Sequence, residues 1–454
     1  MSEQHSPAVA LYGDDRPLEE CQRAFATGQV PVAVYGLGKM GLPLAAVYAD
    51  VSRNVTGVDV DPDVVATIAS GECPVRGEPG LPTAVAELVA DGALDATTDG
   101  TRAAAESRVH VVIVPTEVDD GAVDLSMLEA AVRTIGTGLK PGDLVVVEST
   151  VPPRTCRDRV LPWLTAESGL ESGEFGLAFC PERTMSGRAL EDITGAYPKV
   201  VGGVDEESTR VAAAVYELIT DNDVISVADA TTAECVKVFE GVYRDVNIAL
   251  ANELARLADD LGVDVTDAIE VANTQPFCDI HDPGPGVGGH CIPYYPYFLI
   301  SEFDGPTPLL RTAREVNDAM PGFTVEKTAA ELADAGRDLA DSTVVVLGLT
   351  YRPGVDETRA SPGIDVAAAL RDSGADVYAV DPICTTPPPD GVERLELDAV
   401  PAVDPDAVVL VTAHEAFESL PWERLRDAVV VDGQRVLDVD DSVRSVSAIG
   451  DGSA

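Results

Sequence analysis

Two blocks of this chain alternate strand and helix, and the first opens on a valine-rich run that ends at a glycine turn and continues into an apolar helix. That stretch is VPVAVYGLGKMGLPLAAVYAD, starting at Val30, with a second strand, NVTGVDVD, close behind it. A short β-branched run bounded by glycine reads as a buried strand, and the longer apolar segment after it as a helix. Further strands are expected at VHVVIVPT (109–116), DLVVVEST (143–150), GLAFCPER and PKVVGGV. The pattern restarts at STVVVLGLTYRPG (342–354) and runs through ADVYAVDP, DAVVLVTAH and AVVVDGQRV. Strand and helix in strict alternation imply an α/β fold of doubly wound parallel sheets with helices on both faces.

Between the two blocks the period changes. From 231 to 264, Val236, Phe239, Val242, Tyr243, Val246, Leu250, Leu254, Leu257 and Leu261 keep helical spacing, which predicts one helix on the order of 45 Å long. A helix that long joins two domains and offers a dimer surface. At 454 residues the chain is too long for one core. The expected division is an N-terminal extension (1–29), a first domain (30–215), a central helical domain (216–325), a second sheet domain (326–440) and an acidic, frayed tail (441–454).

Composition narrows the partners. The formal net charge is −47, spread along the whole length, with only five lysines (39, 140, 199, 237, 327) against 26 arginines. Such a surface argues against nucleic acid or anionic membrane as a partner and is similar to those of proteins from concentrated salt, where screening relieves the self-repulsion. Where lysine is so rare, each one that remains needs a reason. No apolar run is long enough to span a membrane and the N-terminus lacks the succession of a signal peptide, so a cytoplasmic protein is expected. Eight scattered cysteines without a CxxC pair fit a reducing compartment and no metal site.

GLGKMG carries Gly36, Gly38 and Gly41 between a strand and a helix, and Asp59 ends the next strand. In that context the glycines form a dinucleotide turn: Gly36 for the bend, Gly38 for close approach of a pyrophosphate, and a helix N-terminus for its charge. Asp59 accepts ribose hydroxyls and repels a 2′-phosphate, so the cofactor expected is NAD. One stretch remains, PGPGVGGHCIPYYPYFLI at 283–300. Most lone cysteines are small buried hydrophobes, yet Cys291 sits in a loop stiffened by Pro283, Pro285 and Pro293 and opened by glycines. Beside a nicotinamide cofactor, a thiol there can hold an aldehyde-level intermediate for a second oxidation.

Those motifs, with EPGL (78–81), VPT (114–116), ESTVPPRT (148–155), FCPER (179–183), TAECVKVFEGVYRDVNIALANE (232–253), PGPGVGGHCIP (283–293) and GLTYRPGVDETRASP (348–362), resemble the nucleotide-sugar 6-dehydrogenases from about residue 31 to 437. The UDP-N-acetyl-D-mannosamine branch is the most similar. The resemblance implies two Rossmann-like domains joined by a long central helix and a helical dimerisation domain, the second sheet domain binding the UDP part of the substrate. It makes Cys291 the nucleophile, Lys237 the donor to its oxyanion, and Glu182 and Thr150 the residues that place or activate water. Cofactor contacts are implied for Lys39, Met40, Pro115, Thr116 and Thr150 besides the glycines and Asp59. Substrate contacts or site ordering are implied for Glu182, Arg183, Lys199, Lys237, Gly288, Tyr351, Arg352 and Arg359.

Two positions depart from the family. Gly241 stands where an asparagine is usual and Tyr295 where an aspartate is usual. Retention of Cys291, Lys237, Glu182 and Thr150 favours a rebuilt site in which the Tyr295 hydroxyl supplies the missing contact; the other reading is a non-catalytic nucleotide-sugar-binding relative. Within the enzyme class, UDP-glucose and UDP-N-acetylglucosamine stay open as substrates.

Overall fold

A computed structural model describes residues 9–452 except 15, 120, 440 and 441. The chain forms two compact units, one of residues 1–239 with 297–302 and one of 240–296 with 303–454. The boundary between them falls inside a single helix, Ala230–Arg256.

The first unit is built on an eight-stranded sheet. In chain order its strands are β1 (Val32–Tyr35), β2 (Val55–Val58), β3 (Leu94–Thr97) and β4 (Val109–Val112); after a small hairpin, β5 (Glu117–Asp119) and β6 (Ala122–Asp124), come β7 (Leu144–Val147), β8 (Gly176–Phe179), β9 (Lys199–Gly203) and β10 (Val224–Ser226). Their spatial order is β10-β9-β8-β7-β4-β1-β2-β3. β1, β4, β7 and β8 are buried at every position, which is why, His110 of β4 apart, they read as apolar runs with no alternation. The order reverses between β1 and β4, the crevice where doubly wound folds bind ligands at the carboxyl ends of their strands. One expectation needs correction here: β9 runs antiparallel to β8. The segment joining them holds only short helical turns and no crossover helix of the kind a parallel return requires.

The expected N-terminal extension is also more than that. Residues 1–8 and 15 lie outside the described residues, but Leu18–Ala26 is helical and packs Cys21, Ala24 and Phe25 into the same core as Tyr48 and Tyr216. Leu11 joins them, and its N–H donates to the Gly142 carbonyl at 3.0 Å.

In the second unit β11 (Thr343–Leu347), β12 (Asp376–Val380), β13 (Glu393–Arg394), β14 (Ala407–Leu410), β15 (Val429–Asp432) and β16 (Ser445–Ala448) form an all-parallel sheet in the order β13-β12-β11-β14-β15-β16. This order repeats that of β3-β2-β1-β4-β7-β8 in the sheet of the first unit. β16 corrects the frayed tail: Ser447 and Ile449 turn inward, and all four of its residues pair with β15. The long helix is shorter than its periodicity suggests. It ends at Arg256, and Ala258–Leu261 follows as a separate turn closed by Gly262 in the left-handed region.

Candidate active site

The residues singled out above fall into two groups, one in each unit. In the first, the glycine turn packs upon itself. Gly36 has φ +96°, and a Cβ there or at Gly41 would collide with the backbone of Ile113 or of Gly36. Gly38 differs: it is exposed, and a Cβ built on it meets nothing within 4 Å. The turn therefore closes at its first and third glycines and leaves its second facing open space, as a pyrophosphate would need. The following helix, Gly41–Ser52, has no acidic residue in its first turn, although the chain is strongly acidic, so the positive end of its dipole is not opposed there. Asp59 accepts from the Leu37 N–H at 2.8 Å and from the Asp61 N–H at 3.0 Å. Its carboxylate ties the turn to β2 and keeps lone pairs for a ribose. These residues fit NAD.

Thr116 and Thr150 meet at the ends of β4 and β7, where the Thr116 hydroxyl donates to the Thr150 carbonyl at 2.6 Å. Pro115 is exposed beside them and Lys39 is exposed on the glycine turn. Met40 connects this region to the next, because its Sδ lies 2.9 Å from the Thr184 hydroxyl oxygen. Thr184 gives its hydroxyl and its N–H to the Glu182 carboxylate. Lys237 donates to the Glu182 backbone carbonyl, and its ammonium stands 3.5 Å from Oε2 of the same residue. Burial opposes the charge on Glu182, but Lys237, the Thr184 donors and Lys199 outweigh it and hold this carboxyl below the usual carboxylate range.

Lys199 is 3% exposed, with its ammonium 5.8 Å from the centre of the Tyr216 ring. The Tyr216 hydroxyl donates to Glu148 at 2.5 Å; burial pushes the Glu148 carboxyl up while Lys199 pulls it down. Lys199 thus orders the interior around Glu182 and is not presented to solvent. Lys199 and Lys237 are the buried lysines of a chain that has five. Arg183 donates to the Pro198 carbonyl at 3.0 Å and lies over Tyr197. Glu78, quoted above only as part of EPGL, is buried and accepts from Gly187 at 2.6 Å and Ala189 at 3.0 Å, pinning the loop that follows Glu182.

The second group surrounds Cys291, the exposed cysteine among eight. Its loop is laced to the segment after β11. A Cβ on Gly288 would meet the Ala360 carbonyl and the Tyr351 side chain, and the Gly289 N–H donates to the Arg359 carbonyl at 2.9 Å. The Arg359 guanidinium lies 5.0 Å from the Tyr294 ring centre, Arg352 lies over Tyr351, and His290 pairs with Glu357 at 2.8 Å. Burial raises the Tyr351 phenol pKa; Arg352 lowers it, and Glu357 and Cys291 add to the rise. The His290–Glu357 pair went unnoticed in the sequence, although both residues lie inside quoted motifs. The departing pair is also here: the Tyr295 ring occupies the space where a side chain at Gly241 would stand.

Comparison with known proteins agrees with this layout. Residues 30–220 match the UDP-glucose/GDP-mannose dehydrogenase family, NAD binding domain; residues 231–319 its central domain; and residues 345–439 its UDP binding domain. The UDP-N-acetyl-D-mannosamine dehydrogenase of Pyrococcus horikoshii is 36% identical over 411 residues, 89% of this chain and 96% of that protein. The NDP-N-acetyl-D-galactosaminuronic acid dehydrogenase of Ralstonia nicotianae is 37% identical over 414 residues, 88% of this chain and 95% of that one. The solved structure of the Pyrococcus horikoshii UDP-D-ManNAc dehydrogenase superposes with a TM-score of 0.84 at 35% identity, over 94% of this chain and 100% of that one.

Proposed function

Because the chain belongs to the UDP-glucose/GDP-mannose dehydrogenase family and binds NAD, we propose that it oxidises the C6 hydroxyl of UDP-N-acetyl-D-mannosamine to the uronic acid. The observation that carries this reading is Cys291, exposed on a loop cross-tied to the UDP-domain segment at 351–360. In this reading NAD binding belongs to residues 30–215, dimerisation to 216–325 and UDP binding to 326–440.

NAD, when bound, accepts a hydride from the substrate carbon. The chain's own residues do the rest. Cys291 adds its sulfur to the C6 aldehyde, giving a thiohemiacetal and, after the second oxidation, a thioester that water cleaves. Lys237 supplies an ammonium for the developing oxyanion, and Glu182, kept ionised beside it, takes a proton from the hydrolytic water. Thr150 holds that water. Tyr351, Arg352 and Arg359 bind or order the nucleotide sugar near Cys291.

The named relatives support an N-acetylhexosamine. The mannosamine configuration follows the Pyrococcus horikoshii enzyme, and the Ralstonia nicotianae name favours an N-acetylgalactosamine derivative as the second reading. A homodimer is supported by the exposure of Tyr243, Leu250, Leu257, Leu261, Val271 and Phe277 in the second unit, an apolar set that a lone chain would leave in water.

A panel of UDP- and GDP-sugars at molar salt, read by NADH absorbance, tests the substrate. UDP-N-acetyl-D-mannosamine should give two NADH per uronic acid, and enzyme quenched during turnover should carry a sugar-nucleotide adduct on the Cys291 peptide. Full uronic acid production by Cys291→Ser would refute the covalent route.

A further inference from the structure

Gly241 and Tyr295 lie 54 positions apart in the sequence, and the structure shows that they belong together. A Cβ added at Gly241 would lie 3.0 Å from the Tyr295 Cβ, and it would approach the ring edge more closely than real Cβ atoms essentially ever approach a neighbour. Any residue but glycine at 241 would therefore force the ring or the helix to shift. Tyr295 is buried at 8% exposure, so the ring fills a seat on the helix and is not a surface ornament.

The other end of Tyr295 reaches Cys291. The Cys291 carbonyl accepts from the Tyr294 N–H at 3.1 Å and from the Tyr295 N–H at 2.9 Å, so residues 291–295 form one tight turn. On the N-terminal side Gly289 is held by the Arg359 carbonyl, and within the turn Tyr294 lies under the Arg359 guanidinium. Cys291 itself is exposed. The thiol thus stands on a turn clamped from two sides, by the 351–360 segment before it and by an aromatic ring seated on glycine after it.

We propose that Tyr295 is the positioning residue for Cys291: its ring, wedged onto Gly241, fixes the direction of the thiol by shape. This inference rests on the reading of Cys291 as the nucleophile. A wedge of this kind needs both members, because a ring without the hollow forces a shift of ring or helix and a hollow without the ring leaves a cavity beside the turn.

The test compares Tyr295→Phe, Tyr295→Ala, Gly241→Ala and the double variant Gly241→Ala/Tyr295→Ala with the wild type. Two readouts are used: NADH formation with UDP-N-acetyl-D-mannosamine, and the alkylation rate of the Cys291 peptide by iodoacetamide, followed by mass spectrometry. Tyr295→Phe should stay within about threefold of wild type in both, while Tyr295→Ala and Gly241→Ala each lose roughly tenfold or more in kcat with KM little changed. The double variant should be no worse than Tyr295→Ala, because with the ring gone the added methyl has nothing to displace. Tyr295→Phe as impaired as Tyr295→Ala, a fully active Gly241→Ala, or additive losses in the double variant would each overturn the proposal. If the wild type oxidises no nucleotide sugar, the reading of function fails by itself. The alkylation arm then still decides: equal Cys291 rates in all variants reject the wedge, and altered rates in Tyr295→Ala, Gly241→Ala and the double variant, with Tyr295→Phe like the wild type, uphold it.

Discussion

The ammonium of Lys237 donates to the backbone carbonyl of Glu182 and stands 3.5 Å from the carboxylate of the same residue. One lysine thereby fixes both the position and the charge of one acid. Burial alone would raise the Glu182 pKa; Lys237 is the largest of the influences that lower it. Because the folded-state pKa is depressed, the ionised carboxylate stabilises the protein above the ordinary carboxylate range. That contribution is lost as pH falls through the folded value.

Lys237→Met should remove the largest influence opposing burial and leave only the Thr184 donors and Lys199, so that Glu182 takes up its proton at higher pH than in the wild type. Carbon NMR of labelled glutamate reads this titration. An unchanged midpoint would show that the ammonium does not govern the acid. With UDP-N-acetyl-D-mannosamine, kcat should fall by about a hundredfold or more, the usual cost of losing an oxyanion donor.

Asp59 anchors the glycine turn and is the residue proposed to select NAD, and a substitution should separate the two. Asp59→Ala should narrow the ratio of kcat/KM for NAD over NADP, since the carboxylate that repels a 2′-phosphate is gone. It should also lower Tm, because the Leu37 and Asp61 N–H groups lose their acceptor at a cost of about 1–3 kcal/mol. Equal use of both cofactors by the wild type would remove this role.

Glu234 is a buried acid in the second turn of the long helix, accepting from the Arg154 N–H at 2.5 Å and the Cys156 N–H at 2.7 Å. Burial pushes its pKa up to about 7, and those N–H groups only partly counter it. With the folded value above the unfolded one, this carboxyl favours the folded state fully below the unfolded pKa and loses that contribution as pH rises through about 7. From pH 5 to 8 the wild type should therefore lose stability relative to Glu234→Gln, by at most about 3 kcal/mol. Thermal melts of both proteins across that range, at constant molar salt, give the answer; parallel curves would contradict it.

Low salt should unfold the protein. With 78 acidic side chains against 31 basic ones, repulsion grows as the Debye length lengthens from about 3 Å at 1 M to about 30 Å at 0.01 M. Circular dichroism over a salt series follows the loss. Equal melting temperatures at both extremes would sink the idea that this composition is an adaptation to salt.

Local chemistry carried far in this chain. The valine runs of β1, β4, β7, β11, β14 and β15 are legible because strands buried on both faces must be apolar throughout. The turn at Gly36 and Gly41 is legible because only glycine survives a contact with backbone. Short motifs likewise singled out Cys291 and Asp59 as site candidates, and the family resemblance added Lys237 and Glu182. Contacts between distant segments were another matter. That β9 turns antiparallel, that Ser445–Ala448 pairs with β15, and that Phe25 packs near Tyr48 depend on which surfaces meet, and short apolar segments have many possible partners. Gly241 and Tyr295 show the difference most clearly. In sequence they are two separate losses, 54 positions apart; in the tertiary structure the ring of one fills the volume vacated by the other, because side-chain packing is decided by space and not by order along the chain.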